Sequence, residues 1–195
     1  MEPLHELLAG IAFRCTGPGA AGSVWLQWRR QWRLLPASEL CAMCFCLYLA
    51  SSSEPPLIPD QGYQQGTGKI NTSRWRLEQG EKGKALRNKF TLPWVTNVGS
   101  DVGCGCGFRS NEAAIHAPGY DPAETQPNHA GLVAFLAEHC GKEPFVELYG
   151  CWDGDEAQEV QDRREIELAK LADETFHFRM KGFCRVKMPS EQAAQ

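Results

Sequence analysis

Apolar and polar residues alternate with a period of two over residues 44–50, where Phe45, Leu47 and Leu49 fall on one face and Cys44, Cys46 and Tyr48 on the other, the pattern of a β-strand. A Ser/Pro cluster ends it and a polar stretch rich in Gly and Gln runs to Gly68. Residues 73–78 predict a second strand, with Trp75 and Leu77 alternating against Arg74 and Arg76, and residues 80–90 predict a short charged helix. A third strand over residues 93–98 delivers the chain into Gly103-Cys104-Gly105-Cys106-Gly107, with Phe108 as the apolar pin that returns it to the core and residues 106–109 as a short return strand.

Residues 110–126 read as a loop. Pro127 opens the clearest helix, with an apolar stripe of Leu132, Val133, Phe135, Leu136 and Cys140 and a closing Gly141. Residues 145–152 predict a strand running into Asp153-Gly154-Asp155. An apolar segment follows at 166–171, and residues 176–186 predict a last strand or a hairpin around Lys181-Gly182. The expected class is α+β: a mostly antiparallel sheet with about two helices.

Length bounds the organisation. A chain of 195 residues, 43% hydrophobic, supports one well-buried core, here expected over residues 43–189. Residues 1–42 look like an N-terminal extension, either disordered or upstream of the natural start, and residues 190–195 like a disordered tail. The extension carries Trp25, Trp28 and Trp32 among arginines at helical spacing, a segment suited to touching a membrane surface. The apolar run at 7–13 is too short for a transmembrane helix. The net charge of −4 argues against a nucleic-acid partner, since phosphate neutralisation needs a basic face.

Nine cysteines cannot all pair within one chain, and no secretory signal precedes them, so a reducing cytoplasm is the expected location. Two Cys-x-Cys pairs stand out. In extended backbone such a spacing points both sulfurs to one face, where they can chelate a soft metal, and the glycines around Cys104 and Cys106 leave backbone N–H groups close to whatever the sulfurs hold. If the strand carrying Cys44 and Cys46 runs beside the loop carrying Cys104 and Cys106, four thiolates can meet around a metal such as zinc in a structural or binding role. Spacing selects no further ligand among Cys140, Cys151, Cys184, His116, His129, His139 and His177. The first three read equally well as buried small hydrophobes.

The same residues support a thiol enzyme. Cys104 and Cys106 could form a redox pair, or Cys44, exposed as the first residue after loss of Met43, could act as a nucleophile with its own α-amino group as base and Asn97, Asn111 or His116 as polar partner. A protein-interaction domain with inert cysteines fits the composition too, so enzymatic activity stays open. Asp153, Asp155 and Glu156 offer oxygens to a hard cation, although Asp-Gly after a strand is ordinarily a turn, and residues 161–167 read as a solvated charged face.

The combination Met43-Cys44-Phe45-Cys46-Leu47-Tyr48-Leu49-Ala50, Pro55-Pro56-Leu57-Ile58-Pro59, Val98-Gly99-Ser100, Gly103-Cys104-Gly105-Cys106-Gly107-Phe108 and Glu147-Leu148-Tyr149-Gly150-Cys151-Trp152-Asp153-Gly154 resembles a family of small uncharacterised bacterial proteins with a Met-Cys start and a Gly-Cys-Gly-Cys-Gly-Phe motif. The resemblance covers residues 43–187. It implies a usual start near Met43 and carries over no activity.

Overall fold

β1 (Phe45–Ser51) is buried at every position, which places it at the centre of a sheet covered on both faces. The computed structural model describes residues 44–62, 64, 66–74, 80–109 and 122–189. Among them lie five further strands: β2 (Asn71–Ser73), β3 (Trp94–Gly99), β4 (Phe145–Trp152), β5 (Asp162–Glu167) and β6 (Gly182–Lys187). They form one sheet in the order β2-β3-β1-β4-β6-β5, antiparallel throughout except for the parallel pair β5 and β6. With helices α1 (Gly80–Arg87) and α2 (Pro122–Cys140), the class is α+β.

The period-two pattern sorts the core into two layers. Phe45, Leu47 and Leu49 of β1 join Val98, Val146, Leu148, Cys184 and Val186 on one face. The stripe Leu132, Phe135, Leu136 and Cys140 of α2 covers that face, together with Leu168, Leu171, Phe176 and Phe178. Cys46, Tyr48 and Ala50 face the other way with Val95, Tyr149, Cys151 and Phe183, under Leu86 of α1 and the partly buried Phe90 and Leu92. Burial of each large apolar side chain stabilises the fold by about 1.5–3 kcal/mol.

Two fully buried features tie the layers together. The Glu147 carboxylate, on β4, accepts from Thr91 N (2.7 Å), Thr91 Oγ1 (2.6 Å) and Leu92 N (3.2 Å), and Arg185 reaches it at 3.3 Å. That anchors the turn after α1 to the sheet. His129 of α2 sits among Phe108, Phe176 and Phe178. Its Nε2 accepts from Arg109 N at 3.0 Å, which leaves Nδ1 to donate to the Leu171 carbonyl at 2.8 Å. Burial first, and then the neighbouring Arg109 charge, push its pKa down to about 3. His129 is therefore a neutral structural histidine.

Several expectations need correction. The helix expected from Pro127 begins at Pro122, a first-turn position where the missing N–H costs nothing, and carries Pro127 inside it. The return strand expected over 106–109 is a 3-10 turn, Gly105–Gly107, closed by Phe108 N donating to Gly105 O at 3.0 Å. No hairpin spans 176–186: Phe176 and Phe178 turn into the core, Lys181 adopts φ 53°, and only Gly182–Lys187 is strand. The charged run 161–167 holds an edge strand, β5, whose exposed charges discourage pairing with another chain. The second strand is Asn71–Ser73, earlier than expected. Positions 75–79, most of the 110–126 loop, residues 1–42 with their Trp/Arg segment, and the tail 190–195 lie outside the described residues. No helix among the described residues is long and apolar enough to cross a membrane.

Candidate metal centre

The site forms where the sheet is left incomplete. β3 pairs with β1 only from Leu47↔Val98 onward, so the first two residues of β1 have no β3 neighbour, and the chain leaving β3 turns back into that space. Phe45 N, which would otherwise lack a ladder partner, donates to Cys106 Sγ at 3.2 Å. Gly105 lies flat against the same strand: a Cβ there would stand 2.6 Å from Phe45 O and 3.2 Å from Leu47 N. Gly103 takes φ 85°, which L side chains rarely adopt. Two glycines of the motif thus have separate geometric causes, a close approach and a left-handed turn.

Ser100, fully buried, organises the loop. Its hydroxyl donates to Cys104 O at 2.7 Å and accepts from Gly107 N at 3.2 Å, while its backbone N–H also donates to Cys104 O at 2.8 Å. Asn71 Nδ2 donates to Ser100 O, and Asn128 of α2 spans the turn, accepting from Asp101 N and donating to Gly107 O. Sequence reasoning missed Ser100, Asn71 and Asn128. A serine closing a strand just before a glycine-rich turn is a signal for the first, and the other two have none.

This scaffold brings together Cys44, Cys104 and Cys106, whose sulfurs all lie within 4.8 Å of one another. Tetrahedral zinc with bonds of about 2.3 Å holds sulfurs about 3.8 Å apart, so small side-chain rotations suffice to close the set. The fourth expected ligand is elsewhere. Cys46 groups with Asp153 and Glu156, again within 4.8 Å, because the pleat holds its side chain on the face of Tyr48 and Ala50. Cys44 precedes the first strand residue and is not bound by that alternation.

The thiols of the triad perturb one another. Cys104 is pushed up to about 11, chiefly by its hydrogen bond with Cys106 and further by burial, against a lowering contact from Cys44. Cys106 has its largest contribution from the Cys104 bond, which lowers it, yet the Cys44 bond and burial leave it raised. Neither is an activated thiolate at neutral pH. Cys106 is exposed as a residue while its sulfur points back to the strand, and Cys44 and Cys104 are half-buried, so the triad is open on one side. A groove of about 240 Å³, lined by Cys104, Gly105, Asp60 and Asn97, borders it.

Among the other candidates, Cys140, Cys151 and Cys184 are buried within the two core layers, and burial raises the pKa of each. His139 packs on Phe135. His177 belongs to neither metal-ligating group, and His116 and Asn111 lie outside the described residues. Asn97 donates to Leu47 O. Asp153-Gly154-Asp155 is a turn, closed by Asp155 N donating to Trp152 O at 3.0 Å, with Gly154 at φ 98°. Comparisons of the chain with protein-family models, with curated proteins and with solved structures return no match.

Proposed function

We propose that Cys44, Cys104 and Cys106 bind a soft divalent metal, zinc in the first instance, in a reducing cytoplasmic setting, with a fourth position left open toward solvent. The observation that carries this reading is the meeting of three sulfurs within 4.8 Å at a gap in the sheet. Three protein ligands and one open position are the pattern of zinc sites that bind an exogenous group, whereas purely structural zinc sites are closed by four. Phe45 N, directed at Cys106 Sγ, suits a sulfur that carries negative charge once metal has displaced its proton. The raised thiol of Cys104 disfavours the alternative of a metal-free, low-pKa redox pair.

Metal content decides the proposal. Protein purified under reducing conditions, loaded with zinc and desalted, should retain metal with a stoichiometry that falls by one equivalent in Cys104→Ser and in Cys44→Ser. Loss of the same equivalent in neither variant would remove the reading.

A further inference from the structure

Asp101, the second residue beyond β3, has its backbone committed on both sides: its N–H donates to Asn128 Oδ1 at 3.1 Å and its carbonyl accepts from Gln64 N at 2.8 Å. Its side chain is not committed. Only 3% of the residue is exposed, yet neither carboxylate oxygen has a hydrogen-bond partner. Among the described residues no other acid has both oxygens buried and unpaired. A charged group withdrawn from water without a partner is costly. A carboxylate only accepts, so what this position lacks is a donor, and a cationic donor makes the stronger bond.

A second and independent observation is the cavity that Asp101 lines. It holds about 160 Å³, well below the roughly 300–1,000 Å³ of sites for drug-sized ligands. Ile58 and Ile70 give it apolar walls, while Asp60, Gln61 and Gln64 add polar ones. Asp60 is exposed, its Oδ1 accepts from Gly62 N at 2.9 Å, and it stands so near the cysteine loop that a Cβ at Gly103 would lie 2.7 Å from its Oδ2. Lys69 is the one cation among the described lining residues, but it is exposed and makes no bond to the Asp101 carboxylate.

We propose that this cavity binds a primary alkylammonium group, with Asp101 as its counter-ion, Ile58 and Ile70 against its methylenes and Asp60 at the mouth. An ammonium is compact, carries three donors and suits a space of this size. A hard metal ion takes six or more oxygen ligands, and neither metal-ligating group among the described residues includes Asp101 or Asp60. A quaternary ammonium is held by aromatic walls, and no described lining residue is aromatic. Both Asp101 oxygens are shut off from solvent, so the ligand is met by rotation of the side chain into the cavity while the bonds of Asp101 N and O hold the backbone in place. The site uses none of the triad's sulfurs and stands whether or not they hold metal.

The test titrates the full chain at pH 7 and constant ionic strength with n-butylammonium chloride, followed by amide ¹H–¹⁵N chemical shifts, with n-butanol as the uncharged control of similar shape. Expected is saturable binding with shifts at Asp101, Ile58 and Asn71. Both n-butanol on the parent and butylammonium on Asp101→Asn should bind at least about 10-fold more weakly. Cooperative urea unfolding checks that Asp101→Asn is folded; if it is not, the position of the shifts and the n-butanol control decide. Binding kept in Cys104→Ser separates this site from the triad, since an amine seated on a triad-bound metal would be lost there. Equal affinity in parent and folded Asp101→Asn, equal binding of n-butanol, shifts confined to other parts of the fold, loss in Cys104→Ser, or no saturable binding overturns the proposal.

Discussion

Replacing Gly105 by alanine tests the packing of the cysteine turn against β1 most directly. The added Cβ would sit 2.6 Å from Phe45 O, 2.9 Å from Phe45 Cδ1 and 3.2 Å from Leu47 N. Two of these are backbone atoms of the central strand, held by pairing with β4 and, from Leu47 onward, with β3. The strand will not yield, so the turn must withdraw by about 0.8 Å to restore an ordinary contact of 3.4 Å. Overpacking of this kind costs about 1–3 kcal/mol. Metal–ligand distances tolerate only about 0.2 Å, so the same withdrawal carries Cys104 and Cys106 out of range of Cys44. Urea denaturation of the metal-free variant should show stability lower by about 1–3 kcal/mol. A competitive titration against a chromophoric chelator should show zinc affinity reduced about 5- to 150-fold, the same energy expressed as a ratio. An unchanged denaturation midpoint together with unchanged zinc affinity would refute the claimed contact.

Three further expectations follow from other parts of the structure. His129 has its pKa lowered from 6.5 to about 3 by burial and by Arg109, so its contribution to stability is complete above pH 6.5 and is lost as pH falls toward 3; the parent should lose about 1.4 kcal/mol per pH unit from this group between pH 6 and 4, and a His129→Gln protein showing the same slope would contradict it. Glu147→Ala removes an acceptor of four hydrogen bonds and strands Thr91, Leu92 and Arg185, so denaturation should show a loss of about 3–5 kcal/mol, and a loss below about 1 kcal/mol would mean that the turn after α1 is anchored otherwise. Ser100→Ala leaves Gly107 N without its acceptor and should cost about 1–3 kcal/mol with a parallel fall in zinc affinity, whereas a stability loss with full affinity would show that the loop's shape does not depend on that hydroxyl.

β1 and β4 were legible as strands because each is a short, almost continuously apolar run, as burial on both faces requires, and the alternation of Phe45, Leu47 and Leu49 with Cys46 and Tyr48 then sorted the two faces. The fate of the cysteines was only half legible. Spacing alone put Cys44 with Cys46, but one residue lies inside the pleat and the other outside it, and a strand boundary is set by pairing with distant residues. The sequence predicts a return strand over residues 106–109, where the 3-10 turn Gly105–Gly107 lies instead, because the hydroxyl that shapes that turn belongs to Ser100, several positions earlier. Helix α2 was entered late because Pro127 masked Pro122, each being acceptable as a first-turn proline. Asp153 and Glu156 meet Cys46 through the register of β1 against β4, which is visible only in the folded sheet, while the segment that carries the acids is the turn that Asp-Gly predicts.

The placement of β1 also constrains how the molecule comes together. Its partners in the sheet lie about 50 residues downstream on β3 and about 100 downstream on β4, so neither edge of the central strand can be satisfied by local chain. Closing such long loops before any contact rewards them slows folding and leaves an apolar strand open to wrong partners in the meantime. Synthesis sharpens the exposure, since β1 must wait for β4 before its second edge closes. The same delay applies to the cysteines: Cys104 and Cys106 join Cys44 once β3 has docked, whereas Cys46 meets Asp153 and Glu156 only after β4. The order of strand docking is thus also the order in which the sulfur triad and the Cys46 group come into being.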